Sequence, residues 1–218
     1  MLGTPNAARN HAERSERPAP PTATDRQGRR REETRREILA AAWAMAGEHG
    51  LGGISLRELG ARVGMKAQSL YSYFPSKQAI LDAMFAQGAA EFYAATTAPT
   101  VAGPDDPRAR CKEQARRMFG FSAESTPRYQ LLFQRPIPGF EPSPEAFGPA
   151  VAAYESMREQ MGAIGVESQQ AIDLWTALLD GLTDQQVTND PGGERWAGLV
   201  DHAVDMWFDY VTKTASAP

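Results

Sequence analysis

One cysteine, Cys111, stands in a chain of 218 residues, so no disulfide can close within it, and a reducing, cytoplasmic setting is expected. No apolar run approaches the ~20 residues that a membrane helix requires. Arg9, Arg14 and Arg17 near the N-terminus have no apolar stretch behind them, which argues against a signal peptide. The three histidines, His11, His49 and His202, lie in distant segments, and no Cys/His cluster has metal spacing. No metal and no cofactor are therefore expected. The G-x-S-x-G, H-E-x-x-H and phosphate-loop patterns are missing as well. The nearest approach, Gly120-Phe121-Ser122-Ala123, has Glu124 where a second glycine would be needed. An enzyme is not expected.

Positive charge is also scarce overall, with a net charge of −4. Its distribution is uneven. Residues 1–85 hold 13 Lys and Arg against 9 Asp and Glu, whereas residues 86–218 hold 10 against 18. A basic front on an acidic body suits a protein that docks one end on phosphates.

What is present centres on Ser55–Lys77, SLRELGARVGMKAQSLYSYFPSK. Ser55-Leu56-Arg57-Glu58 has the form of a capping box, in which serine and glutamate satisfy orphan amides reciprocally. Leu56, Leu59 and Val63 then make one apolar stripe, and Gly64 follows as a residue able to end a helix in the left-handed region. The pattern resumes with Leu70, Tyr71 and Phe74 and stops at Pro75. Helix, glycine turn and helix in this space predict a helix-turn-helix whose second helix enters the DNA major groove.

This stretch, with the run Leu70-Tyr71-Ser72-Tyr73-Phe74-Pro75-Ser76-Lys77, resembles the signature of the TetR family of transcriptional regulators, and the likeness extends from about Thr34 to Phe85. The segments FQRPIPGFEPSPE and GLTDQQVTNDPGGERWAGLVDHAVDM resemble a C-terminal domain common among actinobacterial regulators of that type. The resemblance implies an all-α homodimer with an N-terminal three-helix DNA-binding domain and a C-terminal helical domain that binds an effector and dimerises. The expected division is a disordered basic tail over 1–28, the helix-turn-helix domain over 29–76 and the effector domain over 77–215. Repression relieved by ligand is the usual behaviour. A helix-turn-helix protein acting through protein partners, without a small ligand, is the alternative.

The order of elements follows from breakers and periodicity. The first 28 residues hold almost no large apolar side chains and cannot offset their ordering entropy. Arg29, Arg30 and Arg31 come next and read either as an arm for phosphates or the minor groove, or as a solvated charge run. Helices are expected over about 34–49, 76–97, 106–123, 127–134 and 144–164, with a proline-rich loop at 135–144. Ile172, Leu174, Trp175, Leu178, Leu179 and Leu182 make a further helix buried on two sides. Trp196, Leu199, Val200, Ala203, Val204, Trp207, Phe208 and Val211 follow at helical spacing. This last pair, with Ala171, Gly181 and Ala203 permitting close approach, is the expected dimer face, carried by Ile172, Leu178, Gly181, Trp196, Leu199, Val200, Ala203 and Trp207; the alternative is that the chain's own core takes up the whole stripe.

For DNA contact the candidates are Arg29, Arg30, Arg31, Ser55, Lys66, Ala67, Gln68, Ser69, Tyr71, Tyr73 and Lys77. Lys66 stands where the resemblance leads one to expect a capping hydroxyl, and a lysine cannot accept amide hydrogen bonds; a phosphate or guanine contact suits it better. Gln68 can pair with adenine and Ala67 can meet a thymine methyl. The resemblance implies phosphate contacts for Tyr71, Tyr73 and Lys77. Candidate ligand-lining residues are Phe119, Phe121, Tyr129, Phe133, Met157, Met161, Trp175 and Leu179, an aromatic and methionine set that suggests a fairly apolar effector. Asp180 stands where related sequences can carry a small polar residue or histidine, which leaves the local pocket chemistry open.

Overall fold

A computed structural model describes residues 23–99 and 106–215. The described residues form nine α-helices and no strand: α1 (Ala23–His49), α2 (Leu56–Arg62), α3 (Ala67–Leu70), α4 (Lys77–Thr97), α5 (Pro107–Glu124), α6 (Thr126–Phe133), α7 (Pro144–Gly162), α8 (Gln169–Asn189) and α9 (Val200–Ala215). Helix ends follow local chemistry. Ser76, Asp106 and Ser143 each accept a hydrogen bond from the amide three residues on, and Pro107 and Pro144 occupy first-turn positions where no amide is needed.

The expected bounds of α4 to α7 agree with the structure to within about two residues, but three expectations need correction. First, α1 begins at Ala23, so residues 23–28 of the tail expected over 1–28 are helical and Arg29–Arg31 sit on a helix; the rest of that tail, residues 1–22, lies outside the described residues. Gln27, Arg29, Arg30, Arg31, Glu32 and Glu33 are good helix formers that extend the helix without any apolar face. Second, Ser55 makes no capping hydrogen bond. Glu58 is drawn instead to Arg62, 2.9 Å away, whose guanidinium also pairs with Glu48 at 2.6 Å. Third, the last helix starts at Val200, because Gln186 seizes the backbone ahead of it. Its Oε1 accepts from the amides of Trp196 and Ala197 at 3.1 and 3.3 Å, and its Nε2 donates to the Gly193 carbonyl at 3.0 Å. Trp196 therefore precedes, and Leu199 ends, a short 3₁₀ turn over 197–199.

Two apolar cores result. One gathers Ile38, Met45, Leu59, Leu70, Phe74, Ile80 and Met84 and continues into Phe85, Ala89, Leu131, Phe140 and Ala146. The other gathers Cys111, Ala115, Phe119, Met157, Ile172, Trp175, Val204 and Trp207. The first core thus crosses the expected boundary at residue 76 and joins the helix-turn-helix to α4, α6, the proline-rich loop and the start of α7. Helix α4 runs along α7, and α5 is packed against both α8 and α9. No described helix is long and apolar enough to cross a membrane.

Candidate nucleic-acid interface and an apolar cavity

The turn between α2 and α3 is set by two glycines. Gly64 has φ +66°, in the left-handed region where a Cβ is disfavoured. Gly60 is buried in α2, and a Cβ there would lie 2.8 Å from the Met65 carbonyl oxygen and 3.2 Å from the Ala67 amide nitrogen. The turn closes directly over Gly60 because it has no side chain.

Helix α3 is only four residues long, and its C-terminal side is held by arginines of α1. Arg31 donates to the carbonyl of Ser72, and Arg35 donates to that of Tyr73 at 2.6 Å. Their guanidinium groups lie over the rings of Tyr73 and Phe74, at 5.0 and 4.2 Å from the centroids. Leu70 and Phe74 anchor the segment in the core. Lys66, Gln68, Ser69 and Tyr71 are exposed, Tyr71 by 53%, and Ala67 and Tyr73 are half-buried. Ser55 is exposed at the N-terminal side of α2. Lys77 is half-buried and donates from Nζ to the Gly52 carbonyl at 3.0 Å. Arg29 and Arg30 are exposed farther back on α1. The structure thus brings Lys66 to Tyr73 together on α3 and the turn after it, with Arg31 against the same segment. The role of Arg35, which clamps it, was missed from sequence because only the fold places α1 beside Tyr73.

His49 lies 3.5 Å from Glu48 and 3.8 Å from Glu58, at the back of the domain. Hydrogen bonding to Arg62 holds the Glu48 carboxyl below its ordinary range, and the two carboxylates hold Arg62 firmly protonated. This cluster ties α1 to α2.

A second feature lies between the two cores. An apolar cavity of about 160 Å³ is walled by Phe85, Ala89, Phe92 and Thr96 of α4, Gln114 and Met118 of α5, and Leu132 and Phe133 of α6. Ala150, Ala153, Tyr154 and Met157 of α7 and Thr176 and Asp180 of α8 complete it. Phe92 packs edge-on against Phe121 and Phe133, with centroids 5.4 and 5.3 Å apart. Of the eight expected lining residues, Phe133 and Met157 reach the cavity. Phe119, Met161, Trp175 and Leu179 are filled into the second core. Tyr129 is buried with its hydroxyl donating to the Asp180 carbonyl at 3.2 Å, and Phe121 lies under the Arg128 guanidinium. Burial pushes the Tyr129 hydroxyl up to about 12, and it raises the Asp180 carboxyl above its usual range. Asp180 is open to solvent on one side and desolvated on the other, as befits a group at the cavity's rim.

The expected dimer residues are mostly consumed by the chain's own core, a correction to the sequence reading. Ile172, Val200, Ala203 and Trp207 are buried, and Trp207 donates from Nε1 to the Ala171 carbonyl at 2.8 Å. Leu178 and Trp196 are half-buried against the same core. Leu199 and Gly181 remain exposed, with Leu174, Tyr210 and Met206, the last by 71%. In α8 and α9 the spacing marks an apolar face without saying whether the chain's own core or a second copy covers it.

Residues 38–84 match the family described as bacterial regulatory proteins, tetR family. No curated protein matches the chain by sequence. Solved structures do match by shape. A protein from Rhodococcus sp. RHA1 is 21% identical, with a TM-score of 0.69 over 81% of this chain and 94% of its own. A tetR-family transcriptional regulator from Streptomyces coelicolor is 17% identical, with a TM-score of 0.66 over 85% and 83%. A TetR variant from Acinetobacter baumannii AYE in complex with minocycline is 19% identical, with a TM-score of 0.54 over 83% and 97%. Such identities speak for the fold, and the match over α1 to α4 speaks for the function of that segment. Residues 38–84 thus match the family of bacterial regulatory proteins, tetR family, and the described residues carry the all-helical fold of solved tetR-family regulators.

Proposed function

We propose that the protein is a cytoplasmic repressor that binds a palindromic operator as a homodimer and releases it when a small, fairly apolar effector fills the cavity. Gln68 and Ala67 read base edges, Lys66 and Ser69 contact base or phosphate, and Ser55, Tyr71, Tyr73 and Lys77 set register on the backbone. Arg29 and Arg30 extend the basic surface along α1, over the domain spanning about 29–76. The exposed residues Leu174, Gly181, Leu199, Met206 and Tyr210 of the α8–α9 side form the face for a second copy.

One observation carries the ligand-responsive reading. Phe85 and Ala89 belong both to the cavity wall and to the core that holds the helix-turn-helix. A ligand pressing on α4 therefore favours one placement of the reading head, and DNA favours the other. The Asp82 carboxylate reinforces the link by accepting from the Ser143 amide and hydroxyl at 2.7 and 2.8 Å, which joins α4 to α7. The minocycline complex shows that this fold takes a small molecule in another protein, and it supports the reading by analogy only.

Selection of genomic fragments on the purified protein, sequenced at moderate salt, tests the proposal. A palindromic motif is expected, with Gln68→Ala relaxing preference at one base pair per half-site at a cost of about 1–3 kcal/mol. Enrichment of a single unrepeated half-site, or none at all, would count against dimeric readout.

A further inference from the structure

We infer that the effector is a small cationic amphiphile, one apolar ring or short chain bearing a single ammonium group, received by Asp180 and Gln114. This rests on the reading of the cavity as the effector site and narrows the chemistry of its occupant. The wall holds one carboxylate and no cationic side chain, with the Tyr154 hydroxyl and the Gln114 amide as neutral polar groups. Thr96 and Thr176 donate their hydroxyl hydrogens to carbonyls of their own helices, Phe92 at 2.8 Å and Ile172 at 3.3 Å. Gln114 is only 5% exposed, and its Oε1 meets no donor among the described residues. Such an orphaned acceptor costs stability unless something else supplies the hydrogen.

Charge points the same way. None of the residues lining the cavity is Lys, Arg or His. Asp180 has no ion-pair partner among the described residues, and burial raises its carboxyl. Asp184, the next acidic residue along α8, already accepts from Gln134 at 2.7 Å. A carboxylate ligand would face Asp180 with no cation to offset it. A purely apolar ligand would leave Gln114 unanswered and cover part of a solvated Asp180 without offering it a partner. An ammonium group supplies charge and N–H donors together, and the rings of Phe92 and Phe133 lie on the same wall. The volume of about 160 Å³ limits the apolar part, since a cavity of roughly 150 Å³ holds one benzene ring.

Titration calorimetry on the full chain tests this with three probes of like size: 2-phenylethylamine, 2-phenylethanol and phenylacetate. The amine is expected to bind at least tenfold more tightly than the other two. Asp180→Asn should bring the amine down to the affinity of the alcohol without changing the alcohol, whereas Asp180→Glu, which keeps the charge, should retain the preference. Gln114→Leu should weaken amine and alcohol alike. The inference is overturned if phenylacetate binds as tightly as the amine, if the preference survives Asp180→Asn in a folded variant, or if no probe binds. Release of a fluorescent operator is measured separately. Amine binding without release sustains the ligand class and sinks the proposed coupling to DNA; release by phenylacetate alone sinks the ligand class and sustains the coupling.

Discussion

The proposed reading head, residues 23–97, and the proposed sensor half, residues 106–215, are packed to different ends. In residues 23–97 the polar side chains that matter are aimed at backbone: Arg31, Arg35 and Lys77 each donate to a carbonyl. None of the described residues there buries a polar side-chain atom without a partner, whereas Gln114, Arg128, Trp175 and Trp196 all do so in the other half. A four-residue recognition helix has no room for error, so its neighbourhood is fully satisfied and pinned. Of those four residues, Gln114 lines the cavity and Trp175 lies in the second core. The difference fits a part that holds one geometry beside a part that, on the proposed function, accepts a second molecule.

The strongest way to break this comparison is at the close-packed centre of the sensor half. Trp175 is fully buried and meets Trp207 edge-on, with centroids 4.9 Å apart. Trp175→Ala should cost about 3–5 kcal/mol, read from the urea midpoint at unchanged slope. A loss much below that would mean that the second core is loose throughout, and that the cavity is one void among many. The indole Nε1 of Trp175 has no partner in the described structure, so part of the cost is offset by removing an orphaned donor.

Next in size is the turn. Gly60→Ala pushes a Cβ against the Met65 carbonyl oxygen, and backbone cannot yield as a flexible side chain does. A destabilisation of about 1–3 kcal/mol is expected, together with loss of operator binding. Gly47 in α1 is the control, since a Cβ there meets nothing within 4 Å. Gly47→Ala should stabilise the fold by about 0.5–1 kcal/mol and leave operator binding as it was. Equal responses at the two sites would remove the claim that the turn is closed over Gly60.

Much of the head was legible in the sequence, and less of the sensor. Gly64, Leu70, Phe74 and Pro75 act locally, through φ, burial and the missing amide hydrogen, so pattern suffices to place them. Ser55 misled because the capping box is also local, but Arg62 reaches Glu58 and Glu48 together, and the second of these comes from α1. The cavity was harder still. Its wall takes residues from five helices, and a Phe that lines a void carries the same signal as one that fills it. Phe133 and Met157 were found, whereas Phe119 and Leu179 belong to the core. The departure at Asp180 left the local chemistry open in the sequence, and the fold places that residue among those lining the cavity.

Filling the cavity sharpens the contrast between the halves. Ala153 lies on α7, is buried and faces the void. Ala153→Leu adds about three carbons to apolar space that the helices already wall, so thermal stability should hold or rise by up to about 1 kcal/mol. Operator binding should be kept and release by any effector lost. A stability loss of about 2 kcal/mol or more would mean that the wall is rigid and the void cannot take a side chain.

The smallest expected effect concerns acid stability, where both halves use the same device. Lys112 and Arg108 of α5 reach Asp205 of α9 at 2.8 and 3.0 Å, and their hydrogen bonds, Lys112 foremost, hold its carboxyl below the usual range. Glu48 is held low by Arg62 in the reading head. A carboxyl whose folded pKa lies below its unfolded value stabilises the fold at neutral pH, and that contribution fades as pH falls through the folded pKa. Both groups are solvent-exposed, so each effect should be slight and should shrink further in 1 M salt. Thermal melts taken from pH 7 into acid should show a shallower decline in Asp205→Asn and in Glu48→Gln than in the parent. If Glu48→Gln alone flattens the curve, the ion pairs between α5 and α9 do not contribute, and acid sensitivity belongs to the head. If only Asp205→Asn does so, it belongs to the sensor half.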